Sequence, residues 1–299
     1  FTQIDADIVG TKNIYADAEM CILLADTLVK CGLKKNQFII KINNRKIFQG
    51  ILDYFDIKDS KQSLTVLRSI DKYTSIGQKG LFELLTKGRM DKSGDFTKGA
   101  GLKDDIAREI IYLISTDAIT KSDGKYRISD IKRKYQIDSE LYLEGLKEID
   151  KIFEYIKKRS NIINIANTGF DLSSSKVNIQ LDLSVVRGLE YYTGTIFEAE
   201  TWSESLSRAK LQYEKKAEKG FKLGSIGGGG RYDKLVSRFL NDDYPATGIS
   251  IGLDRLLILL KETYDVYINI SPVIICVFNS ENIEEYSNIH PIIRTHPET

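Results

Sequence analysis

The first ten residues, FTQIDADIVG, alternate between apolar and polar side chains and so predict a β-strand. Ile4 and Ile8 fall on one parity, whereas Gln3 and Asp7 fall on the other. One face of this strand would be buried, and the other would carry an amide and carboxylates. A solvated acidic face is the alternative interpretation, because antiparallel sheets commonly expose one side to water.

Apolar spacings of three and four residues predict helices between residues 15 and 90. Residues 15–33 form an amphipathic pattern that ends at Gly32, and residues 63–90 are charged and helical in pattern. Between them, NQFIIKI predicts a strand and NRKIFQGILDYF a helix. The stretch DKSGDFTKGAG that follows is typical of a linker, because it combines glycine, serine and charge.

A separate, mostly helical unit is predicted for residues 104–160. DDIAREIIYLI and LYLEGLKEIDKIFEYIKKRS both carry apolar residues at helical spacing. Basic residues cluster within 121–134 and again at 157–159. These clusters are either solvated helix surface or a patch that contacts phosphates, where each cation displaces condensed counterions.

The strand pattern returns after residue 176. VNIQLDL alternates between apolar and polar residues, TGTIFEAE and TGISIGL indicate further strands, and DRLLILLKETY indicates a helix. The strands follow one another through short links instead of repeated βαβ crossovers, so an antiparallel sheet is expected. The sequence therefore predicts an α+β fold.

Composition excludes several classes of function. The 299 residues carry a net charge of +1, so no strong global attraction to nucleic acid or to an anionic membrane is expected. No apolar run reaches the roughly 20 residues of a membrane helix. Three cysteines without CxxC spacing favour a reducing compartment and argue against a zinc site. The two histidines, His290 and His296, lie at the C-terminal end, which argues against Ser-His-Asp chemistry and histidine metal sites.

A glycine run and one arginine are candidate parts of a binding site. Four consecutive glycines in a strand cost stability, roughly 0.5–1 kcal/mol each relative to alanine, and are tolerated where a ligand approaches the backbone. Gly228, Gly229 and Gly230 could form the floor of a pocket, with a flexible loop as the alternative. Arg255 lies in the first turn of the last predicted helix, off its apolar stripe. It is either a surface arginine or a ligand of a polyanion, together with the helix N-terminus.

The segment RGLEYYTGTIFEAE, residues 187–200, adds a guanidinium and two phenols. Arg187 can bind a carboxylate or a phosphate with two donors, and a tyrosine suits a nitrogen heterocycle as a neutral donor and acceptor. Packing in the core and at its rim is the alternative for Tyr191 and Tyr192, which would face opposite sides of an extended chain. Arginines and acids on a sheet, without a nucleophile, fit the stabilisation of phosphate charge in a transition state.

These segments together resemble the histidyl-tRNA synthetases, a family of class II aminoacyl-tRNA synthetases, over roughly residues 1–270. The resemblance is carried by FTQIDADIVG, INNRKIFQGIL, LRSIDKYTSIG, RGLEYYTGTIFEAE, GGGGRYDKLV and ATGISIGLDRLL. RGLEYYTGTIFE is highly specific to the family and its close paralogues, although the family pattern has Asp where this chain has Glu190.

The resemblance implies a six-stranded antiparallel sheet flanked by helices, with a helical insertion. Residues 1–98 would be the first part of the catalytic core, beginning within motif 2, and residues 99–165 the helical insertion domain. Residues 166–270 would be the second part of the core, with motif 3. Residues 271–299 would be an incomplete start of the C-terminal anticodon-binding domain, or a tail. We therefore expect a fragment of a longer protein, without the family's motif 1 and motif 2 arginine.

The implied reaction joins L-histidine and ATP into histidyl-adenylate and pyrophosphate, and then moves the histidyl group to the 3′ end of tRNA-His. Arg187 would be catalytic, contacting the substrate carboxylate and the α-phosphate, and Arg255 would contact the γ-phosphate. ATP is a substrate, and Mg²⁺ is expected with it, on ligands that the sequence does not specify. The family also implies a homodimer in the cytoplasm.

The resemblance assigns the amino acid to a second set of residues. Gln3 would bind the α-amino group, Asp7 and Tyr192 would hold the imidazole nitrogens, and Tyr191 would lie alongside. The glycine strand would form the floor of the pocket.

Two other functions remain open at this point. A non-catalytic paralogue that senses histidine, such as the regulatory subunit of ATP phosphoribosyltransferase, would share the sheet; the helical insertion and Arg255 favour the enzyme. A histidyl-like domain that binds uncharged tRNA within a larger regulatory protein is less favoured, because its degenerate motifs usually lose the tyrosine pair.

Overall fold

A seven-stranded sheet lies at the centre of the part of the chain that the structure describes. This computed structural model describes residues 2–91, 93–114, 137–165, 176–189, 191–201, 225–238, 242 and 244–264. The described residues belong to one compact unit, which extends to Tyr264. Residues 265–299 are a second unit and lie outside the described residues.

The sheet is mixed, with an antiparallel body and a parallel edge. The strands in chain order are β1 (Gln3–Val9), β2 (Phe38–Asn44), β3 (Gly88–Met90), β4 (Phe96–Lys98), β5 (Ile163–Ile165), β6 (Val177–Leu181), β7 (Thr195–Thr201), β8 (Gly227–Arg231) and β9 (Ala246–Gly252). The order in the sheet is β1-β9-β8-β7-β2-β6-β5, while β3 and β4 form a separate hairpin. Pairing is antiparallel from β1 to β2 and parallel from β2 to β6 and β5.

This topology differs from the six antiparallel strands that the resemblance implied. The described residues place a seventh strand in the sheet, and β5 and β6 run parallel to β2. Parallel neighbours need a crossover connection; residues 166–175, between β5 and β6, lie outside the described residues. The prediction of an α+β fold with a mostly antiparallel sheet is confirmed.

Helices cover one face of the sheet and enclose the core. They are α1 (Tyr15–Lys30), α2 (Arg45–Tyr54), α3 (Ser60–Asp71), α4 (Tyr73–Leu85), α5 (Asp104–Ile114), α6 (Glu140–Arg159) and α7 (Leu253–Tyr264). Helix α1 packs on β7, β8 and β9. Its Leu24 is fully buried, as are Ile40 and Ile42 of β2 and Phe197 of β7. In β2 and β7, the parity that includes Ile42 and Phe197 therefore faces these helices, and the parity of Lys41 and Glu198 faces away from them.

Helix α6 lies in the core, packed against α1 and α2. Two glycines allow α2 and α6 to approach closely. A methyl group at Gly50 would collide with Cβ of Tyr142, and one at Gly145 would come within 2.9 Å of Cγ1 of Ile47. Helix α6 is thus continuous with the unit that contains the sheet.

The predicted helical insertion domain, residues 99–165, is only partly described. Its first helix, α5, packs on α4, and its last helix, α6, belongs to the core. Residues 115–136, which include the basic cluster at 121–134, lie outside the described residues. A separate domain therefore remains a prediction for that middle stretch alone. The second basic cluster, 157–159, forms the exposed last turn of α6.

The segment predicted as a linker contains a β-hairpin instead. Strands β3 and β4 pair from Gly88 to Met90 and from Phe96 to Lys98. The Asp91 carboxylate accepts hydrogen bonds from the backbone of Ser93 and Asp95 and so closes the turn. Glycine and charge in this stretch mark a tight turn, which the composition alone did not distinguish from a linker.

Candidate active site

Alternate glycines of β8 form the floor of the sheet face that points away from α1. Gly228 and Gly230 point to this open face: a methyl group at position 228 would come within 2.6 Å of Arg187 Nη1. Gly229 points the other way, since a methyl group there would lie 2.7 Å from the ring of Phe197 in the core. The predicted floor therefore consists of two glycines, with only the backbone of Gly229 between them.

Strand register arranges the open face in three rows. The first, second and third rows are Gly230–Gly248–Asp7, Gly228–Ser250–Asp5 and Gly252–Gln3. A strand rises about 3.4 Å per residue, so rows two residues apart are separated by roughly 7 Å. The open face therefore has two ends and a middle, with about 14 Å from the first row to the third.

The first row brings together an acid and two phenols. The ring of Tyr192 lies over Gly230, where an added methyl group would be 3.0 Å from Cδ1. The Asp7 carboxylate lies over Gly248 and leaves no room for a side chain there. The phenol of Tyr232 donates a hydrogen bond to Asp7 Oδ1. Two glycines thus create the space in which these three side chains meet.

Both phenols of the first row are neutral at physiological pH. Burial, followed by the hydrogen bond with Tyr191, raises the pKa of Tyr192 well above its usual value. Burial and the hydrogen bond to Asp7 raise the pKa of Tyr232 in the same direction. A neutral phenol can both donate and accept a hydrogen bond. The first row therefore offers a nitrogen heterocycle a carboxylate and neutral hydroxyl groups.

The tyrosine pair lies in a turn and not in an extended strand. Gly188 adopts a φ of +56°, and its carbonyl accepts hydrogen bonds from the backbone of Tyr191 and Tyr192 at 3.2 and 3.0 Å. A side chain at position 188 would collide with the Tyr192 ring. The two tyrosine rings lie 4.4 Å apart between centroids. Since the turn replaces strand alternation, both rings lie together on one side, in contrast to the expectation for an extended chain; Glu190 lies outside the described residues.

Arg187 lies over the second row, in the middle of the open face. Its Nη1 donates to Ser225 Oγ at 2.8 Å and lies 3.2 Å from Glu198 Oε1. The Arg187 side chain is 38% exposed, whereas that of Glu198 is 17% exposed. One edge of the guanidinium is thus fixed to the protein while the side chain stays accessible to a ligand.

Arg255 and Gln3 lie at the third row. Gln3 pairs with Gly252, and a methyl group at Gly252 would lie 3.9 Å from Cδ of Arg255. Arg255 Nη1 donates to the carbonyl oxygen of Ser225 at 2.6 Å. Ser225 therefore holds both arginines: it accepts from Arg187 through its hydroxyl and from Arg255 through its carbonyl.

A group of partly buried charges continues the second row into β2. Lys41 lies opposite Glu198 in the register, and its ammonium group pairs with Glu200 at 2.8 Å and with Asp182 at 3.1 Å. Burial alone would lower the pKa of Lys41, but the two acids raise it, so the ammonium group stays charged. Burial raises the pKa of Glu198, and Arg187 opposes that shift.

Four residues of this face were not predicted from the sequence. Tyr232, Ser225, Glu198 and Lys41 each contact a predicted site residue or its neighbour. Strand alternation could have indicated Glu198, which shares a parity with Glu200 in TIFEAE, opposite to that of Phe197 and Ala199. No local pattern identifies Ser225, because its role depends on strand pairing with segments far away in the chain.

Arg231, which follows the glycine run directly, serves the opposite face. It is buried and forms a two-point ion pair with Asp17 of α1, with Nε–Oδ2 at 3.0 Å and Nη2–Oδ1 at 2.7 Å. Its Nη1 also donates to the carbonyl of Thr11 at 3.1 Å. Strand alternation thus places this arginine against the helix and the neighbouring Tyr232 on the open face, beside Asp7.

Two features are absent from the described part of the chain. No group of three or more His, Cys, Asp or Glu residues there has an arrangement that could hold a metal ion. None of the described helices combines the length and the apolar character needed to cross a membrane.

Comparisons with known proteins identify relatives of this chain. A family model described as histidyl-tRNA synthetase matches residues 132–256. A histidine–tRNA ligase of Methylocella silvestris is 37% identical over 304 residues, covering 99% of this chain and 55% of that protein. The histidine–tRNA ligase of Bartonella henselae is 41% identical over 266 residues, covering 87% of this chain and 48% of that protein. The chain spans about half the length of the curated relatives it matches.

Solved structures share the fold at lower identity. The histidyl-tRNA synthetase of Nostoc sp. PCC 7120 superimposes with a TM-score of 0.62 at 23% identity, covering 99% of this chain and 59% of that chain. A structure from Bacillus halodurans, titled as an ATP phosphoribosyltransferase regulatory subunit/histidyl-tRNA synthetase, gives a TM-score of 0.55 at 18% identity, covering 99% and 61%. Over nearly its whole length, this chain is thus similar in sequence and in fold to histidyl-tRNA synthetases.

Proposed function

We propose that this protein activates L-histidine with ATP to form histidyl-adenylate and pyrophosphate, and then transfers the histidyl group to the 3′ end of tRNA-His. Relatives named as histidine–tRNA ligases support the proposal, at 37% to 41% identity. The order of groups along the open face supports it independently.

That order is the observation that carries the proposal. Asp7 and Tyr192 lie at the first row, Arg187 at the second and Arg255 at the third. Histidyl-adenylate formation needs groups for an imidazole, then for a carboxylate beside the α-phosphate, and then for the outer phosphates. The three rows offer those groups in the same sequence over about 14 Å of sheet.

The imidazole would bind at the first row. Asp7 would accept a hydrogen bond from one ring nitrogen and Tyr192 would bond the other, with Tyr191 alongside. Tyr232 holds the Asp7 carboxylate in place. A side chain without ring nitrogens would leave these groups unpaired, a penalty that reaches factors of about 10⁴ where a site is built around hydrogen bonds.

The reacting groups would meet at the second row. Arg187 would contact the histidine carboxylate and the α-phosphate, and would stabilise the negative charge that builds up as the anhydride forms. Gln3 would bind the α-amino group from the third row, where Arg255 would contact the γ-phosphate. Gly228 and Gly230 leave the backbone accessible, so the ligand can lie close to the sheet.

The remaining parts of the proposal come from the family. ATP would arrive as its Mg²⁺ complex; Mg²⁺ usually keeps several waters and binds through substrate phosphates and few protein ligands, so we assign no residue to it. A homodimer and a cytoplasmic location belong to the same proposal. The likeness to the Bacillus halodurans structure shows a shared fold alone, and no contact in the described residues favours a regulatory subunit over the synthetase.

Histidine-dependent exchange of pyrophosphate into ATP tests this function. In the full-length protein, Arg187→Ala should lower the exchange rate by about 10²-fold or more, since one preorganised donor to a developing anion is worth that much. Arg159→Ala is a matched control, because Arg159 lies over the ring of Tyr155 on the surface of α6. This variant should catalyse exchange at the wild-type rate. Near-normal exchange in Arg187→Ala would reject the assigned role.

A further inference from the structure

Arg187 is anchored by one nitrogen, and Glu198 supplies the charged part of the anchor. Nη1 lies 3.2 Å from Glu198 Oε1 and 2.8 Å from Ser225 Oγ. The Ser225 hydroxyl in turn donates to the carbonyl of Gly227 at 2.7 Å, which fixes its lone pairs toward the arginine. These contacts use one edge of the guanidinium, and the fork geometry leaves other donors available for a planar anion.

Glu198 forms its ion pair with Arg187, because the nearest lysine is paired with other acids. Lys41 lies opposite Glu198, but its ammonium group pairs with Glu200 and Asp182. The two acids share the lysine, while Arg187 is the cation within ion-pair distance of Glu198. Strand β7 thus carries two carboxylates of one parity with different ion-pair partners, Arg187 for Glu198 and Lys41 for Glu200. The charges of Lys41 and Glu200 also act on Glu198, more weakly than that of Arg187.

We propose that Glu198 is a positioning residue, which with Ser225 fixes Arg187 over Gly228 so that the free edge of its guanidinium meets the carboxylate of the amino acid. This inference rests on the proposed function, because it takes histidine as the ligand. Glu198 acts through Arg187 and does not contact the substrate. A partly exposed arginine has considerable rotamer freedom, and the anchor removes that freedom before the ligand binds.

A carboxylate so close to a catalytic arginine has a second consequence. Any ligand carboxylate approaches a guanidinium whose charge is already shared with Glu198. Glu198 and the ligand would not compete for the same donor. Glu198 is the more buried partner and contacts Nη1 from the side of the sheet, so the ligand would bind the other donors of the guanidinium. The anchor should therefore increase, and not decrease, the affinity for a ligand carboxylate.

Calorimetry with a pair of ligands tests the inference on the full-length protein. Histidine and histidinol share the imidazole and the amino group, but histidinol lacks the carboxylate. Wild-type protein should prefer histidine, and Glu198→Gln should reduce that preference by about tenfold, the effect expected when a charge-assisted contact is weakened. Ser225→Ala should reduce it in the same direction. Histidinol affinity should stay at the wild-type level in both variants.

Glu200→Gln is the matched control, with the same substitution two residues along the same strand. It should reduce the preference for histidine much less than Glu198→Gln does, because it keeps the Glu198–Arg187 ion pair and changes only a charge beside it. Thermal unfolding establishes that all variants are folded. Three results would overturn the inference. Histidine and histidinol could lose affinity equally, the preference for histidine could stay unchanged in Glu198→Gln and Ser225→Ala, or histidine could bind these variants more tightly. Failure of the wild-type protein to bind histidine would instead reject the proposed function.

Discussion

At the scale of single residues, the pair formed by Asp17 and Arg231 joins the sheet to its covering helix. Both side chains are almost completely buried, and the carboxylate receives two hydrogen bonds from the guanidinium. Removing one partner of such a pair leaves a charge without compensation in the interior. This contact fixes the register between α1 and β8, on which the position of the glycine floor depends.

We expect Asp17→Asn to lower the free energy of unfolding by about 3–5 kcal/mol, because Arg231 would lose its buried charged partner and keep only the more exposed Asp233. Chemical denaturation monitored by circular dichroism measures this loss. Asp233→Asn is the comparison: Asp233 also pairs with Arg231, at 3.2 Å, but is 35% exposed. Its loss should be about 1 kcal/mol or less. Equal losses at both positions would contradict the importance that we give to burial.

The residue types predicted the chemistry of the site, but the spacing did not predict the orientation of the two tyrosines. The types of residue in RGLEYYTGTIFEAE indicated a carboxylate or phosphate ligand and a nitrogen ring, and the structure brings those residues to one face. The turn at Gly188, by contrast, reversed the expectation for the tyrosine pair, because a positive φ breaks the alternation on which that expectation depended.

At the scale of elements, the close packing of α2 on α6 shows why the second half of the predicted insertion joins the core. Gly50 and Gly145 remove the side chains that would separate the two helices. Tyr142, opposite Gly50, is fully buried. Apolar periodicity predicted both helices, but it does not tell whether an amphipathic helix packs on its own domain or on another one.

We expect Gly50→Ala to destabilise the protein by about 1–3 kcal/mol, because the added methyl group would collide with Tyr142 Cβ in a packed interface. The higher helix propensity of alanine acts in the opposite direction and is smaller, about 1 kcal/mol. Differential scanning calorimetry should show a lower midpoint temperature.

Gln49→Ala is the control for this substitution. Gln49 precedes Gly50 in α2 and is exposed, so alanine there should leave the midpoint unchanged or raise it slightly. A Gly50→Ala protein as stable as the wild type would show that α6 can move away from α2 without loss.

At the scale of the whole molecule, long-range strand pairing assembles the site from segments that are far apart in sequence. Asp7 lies near the start of the described chain, Arg255 near its end and Arg187 between them. They share one face because β1, β9, β8 and β7 are neighbours in the sheet. Local patterns predict each strand but not its neighbours, so the sequence alone could not supply the three rows or the anchoring by Glu198. The resemblance did predict that these residues share one site, because the arrangement of the corresponding residues in the family was transferred to this chain.

The central claim is that the first row recognises an imidazole, and one titration series tests it directly. Calorimetry should compare histidine with β-(2-thienyl)alanine, which keeps the shape of the ring but lacks its nitrogens, on the wild-type full-length protein and on Asp7→Asn. We predict that the wild type binds histidine about 10²-fold more tightly or better, since the analogue leaves polar groups unpaired, and that Asp7→Asn loses most of this preference. Equal affinity of the wild type for the two ligands would contradict the account.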